Sequence, residues 1–289
     1  MAQPVSGSVP LPSTPSVSIY YVVNGPLDGS KPIIALSNSL AASTSLWDEF
    51  VSEIQSQFSV IRYDARFHGN SPLSTDPEYD YSKLTMDDLA EDLLVVIDHL
   101  KVDKLHGLIG LSIGAGVALV FGSKWPNRVD HVVVVGTKAA TDDTVNATFD
   151  QRIALAKEHG VPYLAGQSIS RWFPQEWIDT HAREATALLS IVARQPVEAY
   201  TASVAALKGL DLFPTVEKIG AAGDGGRFVF VAGENDGTIP QESEKLASIA
   251  QSKFIMVPDT GHIVHIESPE RFGEIVSSVL SISAKNNGA

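Results

Sequence analysis

The stretch 104–121, K-L-H-G-L-I-G-L-S-I-G-A-G-V-A-L-V-F, constrains this chain more than any other. Residues 105–111 are an apolar run of strand length, Ser112 follows at once, and 116–121 are apolar enough for a buried helix. The joint, Gly110-Leu111-Ser112-Ile113-Gly114, fits the strand-to-helix turn G-x-S-x-G that presents a serine hydroxyl. A turn that tight holds the serine in a strained backbone conformation. Side chains at Gly110 and Gly114 would collide with the neighbouring strand and helix. The helix that starts there aims unpaired N–H groups at the place where an oxyanion would form. A Gly-Ser turn without chemistry shows the same bare pattern, so the reading depends on what the rest of the chain supplies.

Residues 17–23, 32–36, 59–64, 105–111 and 131–135 read as strands. Helices are expected over 45–57 and after Thr85, which caps with Asp88 three residues on and leads Leu89, Leu93, Val96, Ile97 and Leu100 along one face. Strands alternating with helices predict an α/β fold, a mostly parallel sheet covered by helices on both faces. The alternation stops at Gly136. From 137 to 222 only helices are expected, the clearest at 149–158, 175–193 and 196–208. Strands return at 227–232 and 253–257, and Ser268-Pro269 starts a last helix. The expected division is a loose Pro- and Ser-rich tail over 1–16, a core made of 17–136 and 223–289, and a helical cap, 137–222, inserted between two strands as a lid over the strand ends.

In such a sheet the working residues lie at the carboxyl ends of the strands. Ser112 ends the central strand, Asp236 lies just past R-F-V-F-V-A-G, and His262 just past K-F-I-M-V-P. The order Ser, Asp, His is that of a serine nucleophile, an orienting acid and a base on this kind of sheet. Glu234 is the rival acid and His265 the rival base; His265, inside I-V-H-I-E, reads as a packed or helix-edge residue. An oxyanion needs two backbone N–H donors. Ile113 supplies one and the loop after the 32–36 strand the other, with Ser39 first and Leu40 its neighbour; a polar turn is the plain alternative for S-N-S-L.

Composition closes other routes. The chain has 289 residues and a formal charge of −13, which argues against nucleic acid or an anionic membrane as partner. There is no cysteine, hence no disulfide framework and no thiolate chemistry. No apolar run approaches the ~20 residues of a membrane span. The opening stretch lacks the basic and apolar regions of a secretion signal, so an enzyme of the cytoplasm is expected. His99, His106, His131, His159 and His181 show no paired spacing, so neither a metal site nor a cofactor is expected. A homo-oligomer is left open.

With these residues in place, the chain resembles α/β-hydrolase-fold enzymes over about 17–280, and within them is most similar to 3-oxoadipate enol-lactonases and related lactonases and esterases. The resemblance is carried by L-S-N-S-L at 36–40, R-Y-D-A-R-F-H-G-N-S at 62–71, G-L-S-I-G, R-W-F-P from Arg171 and E-A-Y-T-A-S-V-A-A-L from Glu198. Three features depart from it: Phe67 where the family usually has Gly, Ala41-Ala42 where Gly-Thr is usual, and the N-terminal extension. His68, in the R-x-H-G loop, reads as structural. The resemblance implies hydrolysis of a small carboxylic ester or (enol-)lactone, with no cofactor. A lactone of that type carries a free carboxylate, which an apolar pocket holds only with a cation or several donors. The lid is acidic on balance, so an inward cation stands out: Arg171, beside Trp172, is the first candidate, and Arg194, at the end of an apolar helix, the second. The same three catalytic groups would also serve C–C bond hydrolysis of a diketone or cofactor-free perhydrolysis. A ligand-sensing protein on a hydrolase scaffold is the reading from another class.

Overall fold

The computed structural model describes residues 3–281. Eight strands form one sheet in the order β1-β2-β4-β3-β5-β6-β7-β8. They are β1 (Val5–Leu11), β2 (Thr14–Asn24), β3 (Ile33–Ser37), β4 (Ser59–Tyr63), β5 (Leu105–Leu111), β6 (Val129–Val135), β7 (Phe228–Gly233) and β8 (Lys253–Val257). β1 and β2 are antiparallel to their neighbours, and β3 to β8 run parallel. The parallel strands are apolar without a break because both faces are covered: Leu108, Val132 and Phe230 enter the core on one face, Ile109, Val133 and Val231 that on the other.

Helices α1 (Asp48–Ile54), α2 (Met86–His99) and α3 (Ile113–Lys124) alternate with the first strands. Between β6 and β7 come α4 (Asp143–His159), α5 (Val161–Trp172), α6 (Gln175–Thr180), α7 (Ala182–Ala193), α8 (Val197–Leu207) and α9 (Phe213–Ala221). The chain then returns to the sheet with α10 (Ile239–Ile249), α11 (Val264–Glu267) and α12 (Pro269–Val279). Thr85 and Asp88 form the reciprocal capping pair at the start of α2.

Four local expectations need correction. The 1–16 stretch is no loose tail: Val5–Leu11 pairs with β2 from Val5↔Val23 to Leu11↔Thr14, and Val9 and Leu11 are buried. Pro10 is tolerated because β1 is the sheet edge, where a missing N–H breaks no ladder bond. Residues 1–2 of that tail, and 282–289 of the expected core, lie outside the described residues. The expected helix 175–193 is two helices. Trp177 O accepts the His181 amide at 2.8 Å as well as Thr180 Oγ1 and the His181 ring, and His181 then leaves the helical conformation. Two further cap helices, α5 and α9, lie outside the clearest three of the helical stretch; in both, the proline sits in the first turn, where its missing N–H has no partner to lose.

The two departures from the family's glycines share one property. Ala41 and Phe67 both lie at positive φ, 57° and 71°. Phe67 is nonetheless buried, with its ring edge-on to Tyr79 at 5.2 Å and to Tyr81 at 4.8 Å.

Candidate active site

Ser112 leaves β5 at φ 59° and ψ −116°, a conformation that non-glycine residues rarely adopt. A Cβ on Gly110 would lie 2.0 Å from Gly114 O, and one on Gly114 would lie 2.4 Å from Ser37 O. Both contacts are with backbone, which has no room to move, so the flanking glycines are required by the close approach of α3 to β5 and β3. Ile113 is the first residue of α3, where backbone N–H groups have no acceptor within the helix. The Ser112 amide itself donates to Val135 O at 2.8 Å.

Asp236 and His262 come from the loops after β7 and β8. These loops touch because Gly233 carries no side chain; a Cβ there would meet Gly261 O at 2.1 Å and Thr260 O at 2.3 Å. The Asn235 amide donates to Thr260 O at 2.8 Å and ties the loops together. His262 Nδ1–H donates to Asp236 Oδ2 at 2.6 Å, with both side chains buried. The rival acid, Glu234, is exposed and accepts instead from the Asp259 amide. The cap holds the other side of the histidine. His262 N–H donates to Trp172 O at 3.1 Å, and the Trp172 indole stacks on the imidazole with ring centres 6.1 Å apart. Glu267 holds the preceding residue, accepting from Gly261 N–H at 2.6 Å.

The imidazole Nε2 is buried and has no hydrogen-bond partner among the described residues. It lines, with Ser112, a mostly apolar cavity of about 230 Å³ between the sheet and the cap. Ser39, Leu40 and Ile113 border the same cavity. The loop carrying Ser39 and Leu40 is fixed through Asn38, whose side chain donates to Tyr63 O at 2.8 Å and accepts from Trp47 Nε1 at 2.9 Å.

Of the cap residues expected to meet substrate, Arg171 and Trp172 line the cavity. Arg194 does not: it caps the C-terminus of α7 and is exposed, away from the cavity lining. Its place beside Arg171 is taken by Arg152 of α4, which no pattern in the sequence singles out. Arg152 is anchored on Tyr200 Oη at 2.9 Å and Ser168 Oγ at 3.3 Å. Arg171 fronts the cavity while much of its surface stays exposed; the protein on its inner side still disfavours its charge and lowers its pKa, the Arg152 charge adds to this, and Asp236 opposes it. Two guanidinium groups in a mostly apolar cavity make an anionic guest favourable.

His68 and His265 are elsewhere. His265 stacks on Trp47 at 4.2 Å and bonds to Leu46 O, and His68 bonds to Arg66 O at 2.8 Å. Burial pushes each pKa down to about 4. Both stay neutral in the folded protein, whereas a histidine of the unfolded chain takes up a proton near ~6.5. Their contribution to stability is therefore complete above that pH and is lost as pH falls toward 4. Asp64 and Asp92, raised by burial, act in the opposite sense, so the readout is a difference between proteins. His265→Gln should show a smaller drop in urea midpoint between pH 7 and pH 4.5 than the parent; an equal drop would mean His265 carries none of the acid sensitivity.

Among the described residues no helix is long and apolar enough to cross a membrane, and no cluster of His, Cys, Asp and Glu is arranged to hold a metal ion.

Comparison with known proteins agrees with this fold. Over residues 32–269 the sequence matches the profile of the alpha/beta hydrolase fold family. It is 28% identical to 3-oxoadipate enol-lactonase 1 of Acinetobacter baylyi, over 88% of this chain and 90% of that protein. It is also 28% identical to a protein of Caulobacter segnis named for carbamate hydrolysis, RutD, over 89% and 94%. The crystal structure of the enol-lactonase from Burkholderia xenovorans LB400 superposes with a TM-score of 0.82 at 23% identity, covering 96% of this chain and all of that one. The chain belongs to the alpha/beta hydrolase fold family.

Proposed function

We propose that the protein is a serine hydrolase that opens a small carboxylic ester or lactone through an acyl-enzyme. The observation that carries this reading is the buried 2.6 Å Asp236–His262 pair, whose free Nε2 shares a cavity with a serine held at φ 59°. His262 Nε2 takes the Ser112 proton as Oγ attacks the carbonyl; Asp236 keeps the imidazole in the tautomer whose Nε2 accepts and stabilises the imidazolium. The Ser112–His262 hydrogen bond is not made in the structure, and in serine hydrolases this bond commonly tightens only with substrate in place. The Ile113 amide and that of Ser39, with Leu40 beside it, hold the oxyanion. The imidazolium protonates the departing oxygen, and water activated by His262 then releases the acid. In a lactone the departing oxygen stays tethered to the acyl group, so ring opening leaves one product. Reaction of the purified protein with a fluorophosphonate, followed by peptide mass mapping, tests the nucleophile. Label on any residue other than Ser112 rejects the scheme.

The 3-oxoadipate-type reading rests on the cap cations. An ester or lactone with a remote carboxylate places that group against Arg171 and Arg152. A hydrogen bond to a charged group contributes ~1.5–3 kcal/mol, or roughly 10- to 100-fold in kcat/KM. Arg171→Ala should cost about that factor on a carboxylate-bearing lactone and almost nothing on a neutral ester of similar size. Arg152→Ala should behave alike, with an added loss from freeing Tyr200 and Ser168. Equal losses on both substrates would make the arginines structural, and silence on both would favour a neutral substrate.

A further inference from the structure

The cavity of about 230 Å³ is small beside the ~300–1,000 Å³ usual for ligand sites. One of its walls is thin. Met86 and Leu210 line the cavity on one side and, on the other, a groove of about 450 Å³ between α2, α3 and the α8–α9 connection. Both residues are buried, so at rest they close the passage.

The two halves of this wall differ mechanically. Leu210 is tied down: its carbonyl accepts from the Thr141 amide at 2.8 Å, and the next residue, Asp211, pairs with Ala140 in a two-residue bridge. Met86 begins the capped helix α2, and only packing holds its side chain. Its side chain lies against Gly116, where an added Cβ would come within 3.0 Å of Cε and 3.1 Å of Sδ. An unbranched thioether with three rotatable bonds repacks at low cost. Beyond the wall the groove offers the buried Leu84, Val120 and Leu212, and the rest of its lining is largely polar and charged, with Asp87, Lys124, Lys208 and Asp211 among it.

We propose that Met86 is a movable partition, and that the substrates include esters or lactones with a linear aliphatic tail that passes between Met86 and Leu210 into this groove. The inference rests on the hydrolase reading above and adds the substrate's shape: a reacting carbonyl in the small cavity, a chain across the Met86 wall, and room for a polar end at the rim.

The test is the ratio of kcat/KM for decanoyl over butyryl esters of one alcohol, and for decyl over butyl esters of one acid. A ratio taken within one preparation cancels any loss of folded protein. Ala205→Phe fills the groove at a residue that does not line the cavity. In at least one series it should lower the ratio about tenfold or more, the scale on which a pocket discriminates one or two methylenes, and leave the short ester unchanged. Met86→Ala should raise the ratio in the same series. Ratios unmoved by both variants in both series overturn the proposal. Should the wild-type protein cleave no ester or lactone, the hydrolase reading falls, and the groove is then read by binding. Decanoate should raise the melting temperature of the wild type more than butyrate does, and this advantage should vanish in Ala205→Phe; equal shifts in the two proteins overturn the groove independently of turnover.

Discussion

Replacing Ser112 by alanine should lower kcat by roughly five to six powers of ten on any ester or lactone the protein cleaves, and His262→Ala should do the same. The members of such a group act as a unit, and in a serine protease removal of the serine or the histidine alone costs about as much as removing the whole set. The double variant should therefore lose little beyond either single one. The fold should survive, since Ser112 makes no side-chain hydrogen bond among the described residues and an alanine meets the same φ 59° with no larger side chain. Retained circular dichroism with a kcat within tenfold of the parent in Ser112→Ala would remove serine chemistry from consideration. A double variant that falls by the product of the single losses would show that the two residues act in separate steps.

Asp236→Asn should lower kcat by about four powers of ten, because an amide facing Nδ1 favours the tautomer in which Nε2 carries the proton and cannot accept one. Its shape is nearly that of aspartate, so the loop contacts through Gly233 and Thr260 persist and the loss is one of proton placement. Glu234→Gln is the matched control: Glu234 is exposed and bonded to the Asp259 amide, and its neutral analogue should change kcat by less than about twofold, as for surface substitutions generally. Reversal of these two results would make Glu234 the orienting acid and would require the loop after β7 to rearrange in solution.

Much of this site could be read from the sequence because its chemistry dictates local pattern. The elbow needs glycine on both sides of the serine for a reason visible in one turn of chain, and the 2.0 and 2.4 Å approaches at Gly110 and Gly114 are the same requirement seen in space. Asp236 and His262 follow strands that announce themselves by apolar runs. What stayed hidden depends on contacts distant in sequence. Arg152 sits in a helix with ordinary surface character, and only the packing of α4 against α5 and α8 turns it toward Arg171. Arg194 reads as the second candidate because it ends an apolar helix, but the direction in which a helix end points is set by its neighbours. The edge strand β1 was masked by its own prolines and serines, whose breaker character lapses where no neighbour awaits an N–H.

Phe67 bears on what a glycine at that position would do to this chain. A left-handed conformation costs a side-chain-bearing residue about 1–2 kcal/mol, whereas deleting a buried phenylalanine ring costs about 3–5 kcal/mol. Restoring the glycine alone would therefore relieve less strain than the packing it removed. Tyr79 and Tyr81 act as the lock: with both rings edge-on to Phe67, exchange for glycine alone is a net loss. The aromatic trio thus behaves as one unit, and the loop can be revised without loss only by changing its members together.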